Sequence, residues 1–378
     1  MLGHGASAGV PLPLLVLGAA VAVAGVGALL SRRGRHPDTQ HEPAITLPRA
    51  LSSILDHPAT RLALGLVGVV AAGAVLVIAV ARPPGAGVNP APRFVLDDLW
   101  AVLVLASLPL GPVWTLVSPL RSLAAGLARL SGDPGEQATR PVPDRLGWWP
   151  AAAGLLGFAW LGLVLPGRPF ALVLLLAVYA LAELGAVTLY GQHWLAHGDP
   201  LEAYSRVLGA MAPLRRDPDG RLRLHSPRRY LATTSNAPGL PALAAVAIAS
   251  DLMDAVVGTQ AWHSLALDRG QAALTLTVGL VAVAVVIGLA ATVATRRAGL
   301  AIALLPIVAG WAAGHQLASH SVILGLAAFA AGHLGALAVA HDRAVARYGS
   351  KAGAAQLEFR ALVLALLVGG LVLRFGGV

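Results

Sequence analysis

Apolar residues recur along this chain in long runs, separated by shorter stretches that hold most of the charge. Ten runs approach the length of a bilayer span: Leu12–Leu30, Leu62–Ala81, Leu99–Leu120, Trp148–Leu165, Phe170–Gly191, Leu240–Gly258, Ala272–Ala294, Leu300–Leu317, Val322–Ala340 and Ala361–Arg374. A helix rises about 1.5 Å per residue, so roughly 20 apolar residues cross the hydrocarbon core. The runs are rich in Leu, Val, Ala and Gly and show little alternation, which predicts helices and not the ten-residue dyads of a membrane barrel. Pro109, Pro112 and Pro119 interrupt the third run, which is expected to be kinked or partly interfacial.

The basic residues test this reading. Of 27 Lys and Arg, 22 fall in the segments that follow odd-numbered runs, and only Arg82, Arg93, Arg168, Arg269 and Arg374 fall on the other side. An alternation kept at every loop is what the positive-inside rule expects of ten spans with both termini outside. Met1–Pro13 carries no basic residue, and the Arg cluster follows the first run, so that run is expected to be a reverse anchor and not a cleaved signal peptide. The fold class expected is therefore all-α: a polytopic integral membrane protein of a bacterial plasma membrane, one transmembrane domain over residues 1–378. Its cytoplasmic loops are expected at about 31–60, 121–147, 192–239 and 342–360, carrying short interfacial helices.

Composition agrees. The chain of 378 residues is 57% hydrophobic and 12% charged, too apolar for one or two water-soluble cores. Its net charge of +9 reads as orientation signal, not as a nucleic-acid footprint. There is no Cys, which excludes disulfides, iron–sulfur clusters and thiolate metal sites. Lys351 is the only lysine, no Gly loop ends in Lys-Ser/Thr, and no His-Glu-x-x-His occurs. No nucleotide, haem or iron–sulfur cofactor is expected.

Ionisable groups inside spans cost several kcal/mol unless paired or hydrated, so each is a functional candidate. Glu183 lies deep in the fifth run, and His333 lies near the middle of the ninth. Asp251 and Asp254 are three apart in the sixth, on one helix face. His315 lies near the end of the eighth run, and His320 follows in a short turn. The expected topology brings Asp254, His315, His320, Asp97, Asp98 and His4 toward the outer leaflet. Two carboxylates with two or three imidazoles suit a zinc-like divalent ion or a proton site. The competing reading makes the Asp pair a helix-packing contact and His320 an ordinary interfacial residue. His193 and His197 are four apart but lie past the fifth run, where an interfacial role is favoured.

Several segments carry a family resemblance. They are His4-Gly5 with Val10-Pro11-Leu12-Pro13, the run Asn89-Pro90-Ala91-Pro92-Arg93-Phe94-Val95, and Asp144-Arg145-Leu146-Gly147-Trp148-Trp149-Pro150. Tyr190-Gly191, Trp194, Gly198-Asp199, Tyr204, Asp254, Trp262, Leu304-Leu305-Pro306-Ile307 and His315 follow in order. Up to about Leu324 the chain resembles a bacterial, largely actinobacterial, multi-span family often labelled fenitrothion hydrolase. The resemblance implies a metal-assisted phosphotriester hydrolase, with His4, Asp254 and His315 as the positions carried across. Where the family has a His shortly before the Pro of the eighth run, Ile302 stands here.

Three functions are therefore expected in turn. The first is a hydrolase whose metal is held by His4, Asp251, Asp254, His315 and His320, with Asp254 or Asp251 as general base. The second is an ion- or proton-coupled carrier of a small apolar molecule or ion, with five-plus-five inverted topology. The third is a non-catalytic membrane assembly subunit.

Overall fold

Nearly every apolar run forms a helix, because a backbone in lipid must satisfy its hydrogen bonds within its own segment. The structure, a computed structural model, describes residues 12–33, 45–81, 87–130, 140–217, 219–297 and 299–375. Its main helices are α1 (Leu12–Arg33), α2 (Arg49–Asp56), α3 (Pro58–Ala81), α4 (Leu99–Leu110), α5 (Pro119–Leu130), α6 (Trp149–Val164) and α7 (Pro169–Tyr190). There follow α8 (Pro200–Gly209), α9 (Leu240–Val257), α10 (Arg269–Thr295), α11 (Leu305–Ala318), α12 (Val322–Tyr348) and α13 (Leu357–Gly370).

Among the described residues, six helices are long and apolar enough to cross a membrane: Pro58–Ala81, Pro169–Tyr190, Leu240–Val257, Arg269–Thr295, Leu300–Ala318 and Val322–Ala355. Leu17–Gly27 and Trp149–Val164 are shorter apolar helices. The chain is thus all-α with the helices of a membrane protein. The third predicted span is not one helix. α4 stops at Leu110, Gly111 adopts φ 98°, and Trp114–Val117 forms one separate turn before α5 begins at Pro119. Pro112 has no N–H to continue the ladder, and the left-handed Gly111 turns the chain away. The tenth run is α13 prolonged by a π-helical turn, Leu371–Phe375.

The chain divides into two compact units. The first comprises residues 1–43, 226–236 and 240–378, and so groups α1 with the last five helices. Its centre is the antiparallel hairpin of α11 and α12, closed by Ser319–Ser321 with Ser321 capping α12. Small residues let these backbones touch: a Cβ on Gly332 would lie 2.6 Å from the Gly310 Cα, and one on Gly325 2.7 Å from the Ala318 Cβ. Beside that crossing Phe329 packs edge-on to Trp311 at 5.0 Å and against His333 at 4.5 Å. α9 packs on α10 and α11, while α1 lies against α12 and α13.

One end of this unit is fastened by polar contacts. Arg228, on the short helix Pro227–Thr233, grips Asp342 with two bonds of 2.7 Å. Those hydrogen bonds to the buried carboxylate raise the Arg228 guanidinium above its ordinary pKa. Arg343 donates to the carbonyls of Leu231, Ala232, Thr234 and Gly299.

The second unit comprises residues 44–225 and 237–239. A small antiparallel sheet in the order β1 (Ile45–Thr46), β3 (Leu222–Leu224), β2 (Leu214–Arg216) sits beside α2. Asp56 joins α2 to its neighbours through Arg61 at 2.8 Å and Arg216 at 2.6 Å. α3 and α5 approach closely at Gly65, where an added Cβ would lie 2.5 Å from the Ser122 hydroxyl oxygen.

Candidate functional site

Asp251 and Asp254 project from one face of α9, as their three-residue spacing requires. They meet the last full turn of α11, which carries His315. The His315 Nδ1 stands 3.6 Å from Asp251 Oδ1 and 3.7 Å from Asp254 Oδ2, beyond hydrogen-bond range. That nitrogen is buried and makes no hydrogen bond among the described residues. The fourth member is Arg374, whose Nη1 donates to Asp254 Oδ2 at 3.1 Å from the π-helical turn after α13. Side-chain exposure is 23% for Asp251, 25% for Arg374, 30% for His315 and 52% for Asp254. The cluster is therefore reachable from outside the unit, unlike a sealed core contact.

The other sequence candidates distribute differently. His320 is engaged locally: its Nδ1 lies 2.9 Å from Ser319 Oγ and 3.3 Å from the Gln316 carbonyl oxygen. His4 lies outside the described residues. Asp97 and Asp98 belong to the second unit, where Asp98 pairs with Arg93 at 3.9 Å. His333 is fully buried in the α11–α12 core, and its Nδ1 donates to the Phe329 carbonyl at 2.8 Å. His193 lies within a 3₁₀ turn, Gln192–Ala196, and His197 just after it, so their four-residue spacing does not put them on one α-helical face.

A divalent metal, which the family resemblance implies, can be tested against this geometry. Two ligand atoms each about 2.1 Å from a tetrahedral ion lie roughly 3.4 Å apart. The Nδ1–carboxylate separations are close to that value. The donors are suitable, but Arg374 already neutralises Asp254. As they stand, no three His, Asp or Glu side chains among the described residues form a ready metal cage.

The second unit holds a polar network that the search for spans overlooks. After α7 the chain turns at Gly191 (φ 73°) and folds back along the same helix. Trp194 stacks on Tyr190 at 5.2 Å and donates its Nε1 to Glu183 at 2.7 Å. Asp199 then accepts from Tyr179 at 2.7 Å, eleven residues and about 16 Å of axis before the end of α7. From there α8 starts, capped by the Asp199 carboxylate on the Leu201 and Glu202 N–H groups. Glu202, fully buried, is held by Arg121 of α5 at 2.7 and 2.8 Å and by Arg206 at 3.0 Å. Ser205 joins Ser107 of α4 at 2.9 Å, and Trp114 donates to Asp199 at 3.2 Å.

The loop predicted over residues 192–239 therefore begins as a buried fold-back, with α8 enclosed by its neighbours. Gly198-Asp199-Pro200-x-Glu202 carried the signal: an N-cap Asp, Pro at the first helical position and Glu at the third. Arg374 was legible only as a charge on the sparsely basic side. Searches against protein-family models, curated proteins and solved structures find no match.

Proposed function

We propose that the chain is a cation-coupled carrier of the bacterial plasma membrane. It has ten spans, both termini outside, and Asp251, Asp254 and His315 take up and release a proton or metal cation. The carrying observation is the convergence of four ionisable side chains within 3.1–3.7 Å on apolar helices while they stay open to exchange. Purely structural ion pairs do not need that openness, and ionisable groups at such positions mark ion pathways. The break between α4 and α5 and the fold-back before α8 support the same reading, because carriers build their pathways from interrupted helices. The cargo is a small apolar molecule or ion.

The test is charge displacement after a pH jump across a supported membrane bearing the purified protein. A transient current that falls at least tenfold in Asp251→Asn/Asp254→Asn supports the proposal; equal currents reject it.

A second reading, a metal-dependent phosphotriester hydrolase, draws on the ligand-like spacing around His315 Nδ1 and on the family resemblance. Bound there, a zinc-like ion would polarise a phosphoryl oxygen or acidify water. Asp251, Asp254 and His315 would hold it. Stoichiometric metal in the purified protein, lost in Asp254→Ala together with turnover of an aryl phosphotriester, selects this reading over the carrier.

A further inference from the structure

We propose that α2 is a docking surface for anionic lipid, with Leu51 and Ile54 entering the headgroup layer while Arg49 and Arg61 bind negatively charged headgroups. The inference concerns the second unit and does not depend on the exchange cluster of the first.

The sequence gives α2 two different sides. Ser52 and Asp56, four apart, fasten one of them. The Ser52 hydroxyl accepts from the Leu222 N–H at 3.2 Å, and Asp56 binds Arg216 at 2.6 Å. Leu51 and Ile54, three apart, share another face and are 45% and 58% exposed. Two large aliphatic side chains are thus left uncovered on a helix already held in place by its other side. In the same unit β1 adds Ile45, also exposed, directly opposite Leu224. Ser53, two residues from Leu51 and so about 200° around the axis, points the other way.

The position of α2 along the chain decides what covers that face. His57 alone separates it from α3, which is long and apolar enough to cross a membrane. Pro58 drives His57 out of helical geometry, to φ −61° and ψ 130°, so the chain bends there instead of prolonging the span. Two residues of backbone reach at most about 7 Å, which confines the end of α2 to the membrane surface. Charge selects the lipid. Residues 44–62 and 214–224, which hold α2 and the three strands, carry six arginines against three aspartates. Exposed aliphatic residues beside an excess of basic ones mark helices that lie in the interface, and each cation near the surface adds affinity for anionic lipid. Arg61, in the first turn of α3, stands at headgroup level, and its side chain is largely exposed. When a headgroup takes Arg61, Arg216 still holds Asp56, so α2 stays fastened to the sheet.

The test exploits the absence of native Cys. Full-length protein, one chain per lipid nanodisc, carries an environment-sensitive fluorophore on Leu51→Cys, Ile54→Cys or Ser53→Cys, each first shown monodisperse and thermally stable. Discs of phosphatidylcholine are compared with discs of an equal mixture of phosphatidylcholine and phosphatidylglycerol. Emission from the Leu51 and Ile54 positions should move to shorter wavelength in the mixed discs, and emission from the Ser53 position should not. Adding Arg49→Gln/Arg61→Gln should reduce that shift at least twofold. Equal emission in the two lipids at Leu51 and Ile54 overturns the inference. So does a shift as large at Ser53, or one untouched by the loss of both arginines. A shift seen only in discs holding two chains assigns the face to a second copy and overturns it as well.

Discussion

Arg121→Ala should be among the most damaging single substitutions in the second unit, because it unlocks a carboxylate that has no access to water. Glu202 is 0% exposed and takes three contacts of 2.7, 2.8 and 3.2 Å from Arg121. Arg206 adds two more, at 3.0 and 3.1 Å, both to the same oxygen. Removing one partner of a buried pair generally costs about 3–5 kcal/mol. Arg206 remains and Arg121 is partly exposed, so about 2–3 kcal/mol is expected here. Arg206→Ala, at an exposed position with one-sided contacts, should cost about 1 kcal/mol or less. Replacing both Arg121 and Glu202 by Met removes the stranded charge and should recover much of the loss. Tryptophan fluorescence during thermal unfolding reads all four proteins, since Trp114 and Trp194 lie in the same network. Equal destabilisation by Arg121→Ala and Arg206→Ala, or none by either, would refute a buried carboxylate held chiefly by Arg121.

Other perturbations test other levels of the structure. Gly332→Leu should prevent the α11–α12 hairpin from closing, because even a Cβ there meets the Pro306 carbonyl and the Gly310 Cα; loss of monodisperse protein in detergent is the readout. Asp199→Ala removes the α8 cap and the acceptor for Tyr179 and Trp114, and should lower the unfolding temperature more than Asp199→Asn does. The native chain has no Cys, so single cysteines report topology cleanly. In right-side-out vesicles a membrane-impermeant maleimide should label Gly167→Cys and spare Gly220→Cys; the reverse would invert the orientation.

Much of this was readable from the pattern of apolar runs, since lipid imposes one length and one backbone geometry. The break after α4 was foreshadowed by Pro109 and Pro112, although the contribution of Gly111 appears only in its backbone angle. The expected topology puts Asp254 and His315 toward one leaflet. Their lateral meeting depends on how α9 packs on α11, which no periodicity encodes. The fold-back was hidden for a different reason. A run of apolar residues marks a span, whereas residues 192–209 bury Leu195, Leu201, Val207 and Leu208 between polar groups, Asp199 and Glu202, that are satisfied by Tyr179 and Arg121. Arg374 reads in the sequence only as an orientation charge, because a lone arginine at a span end normally marks the membrane surface.

The most direct measurement of cation exchange at Asp251, Asp254 and His315 is the pH-jump current, recorded with a control outside the cluster. Asp217→Asn, in the sheet-bearing unit, should leave the transient unchanged, while Asp251→Asn/Asp254→Asn should reduce it at least tenfold and His315→Ala should shift its midpoint pH. A current of equal size and midpoint in all four proteins would contradict cation exchange at this cluster.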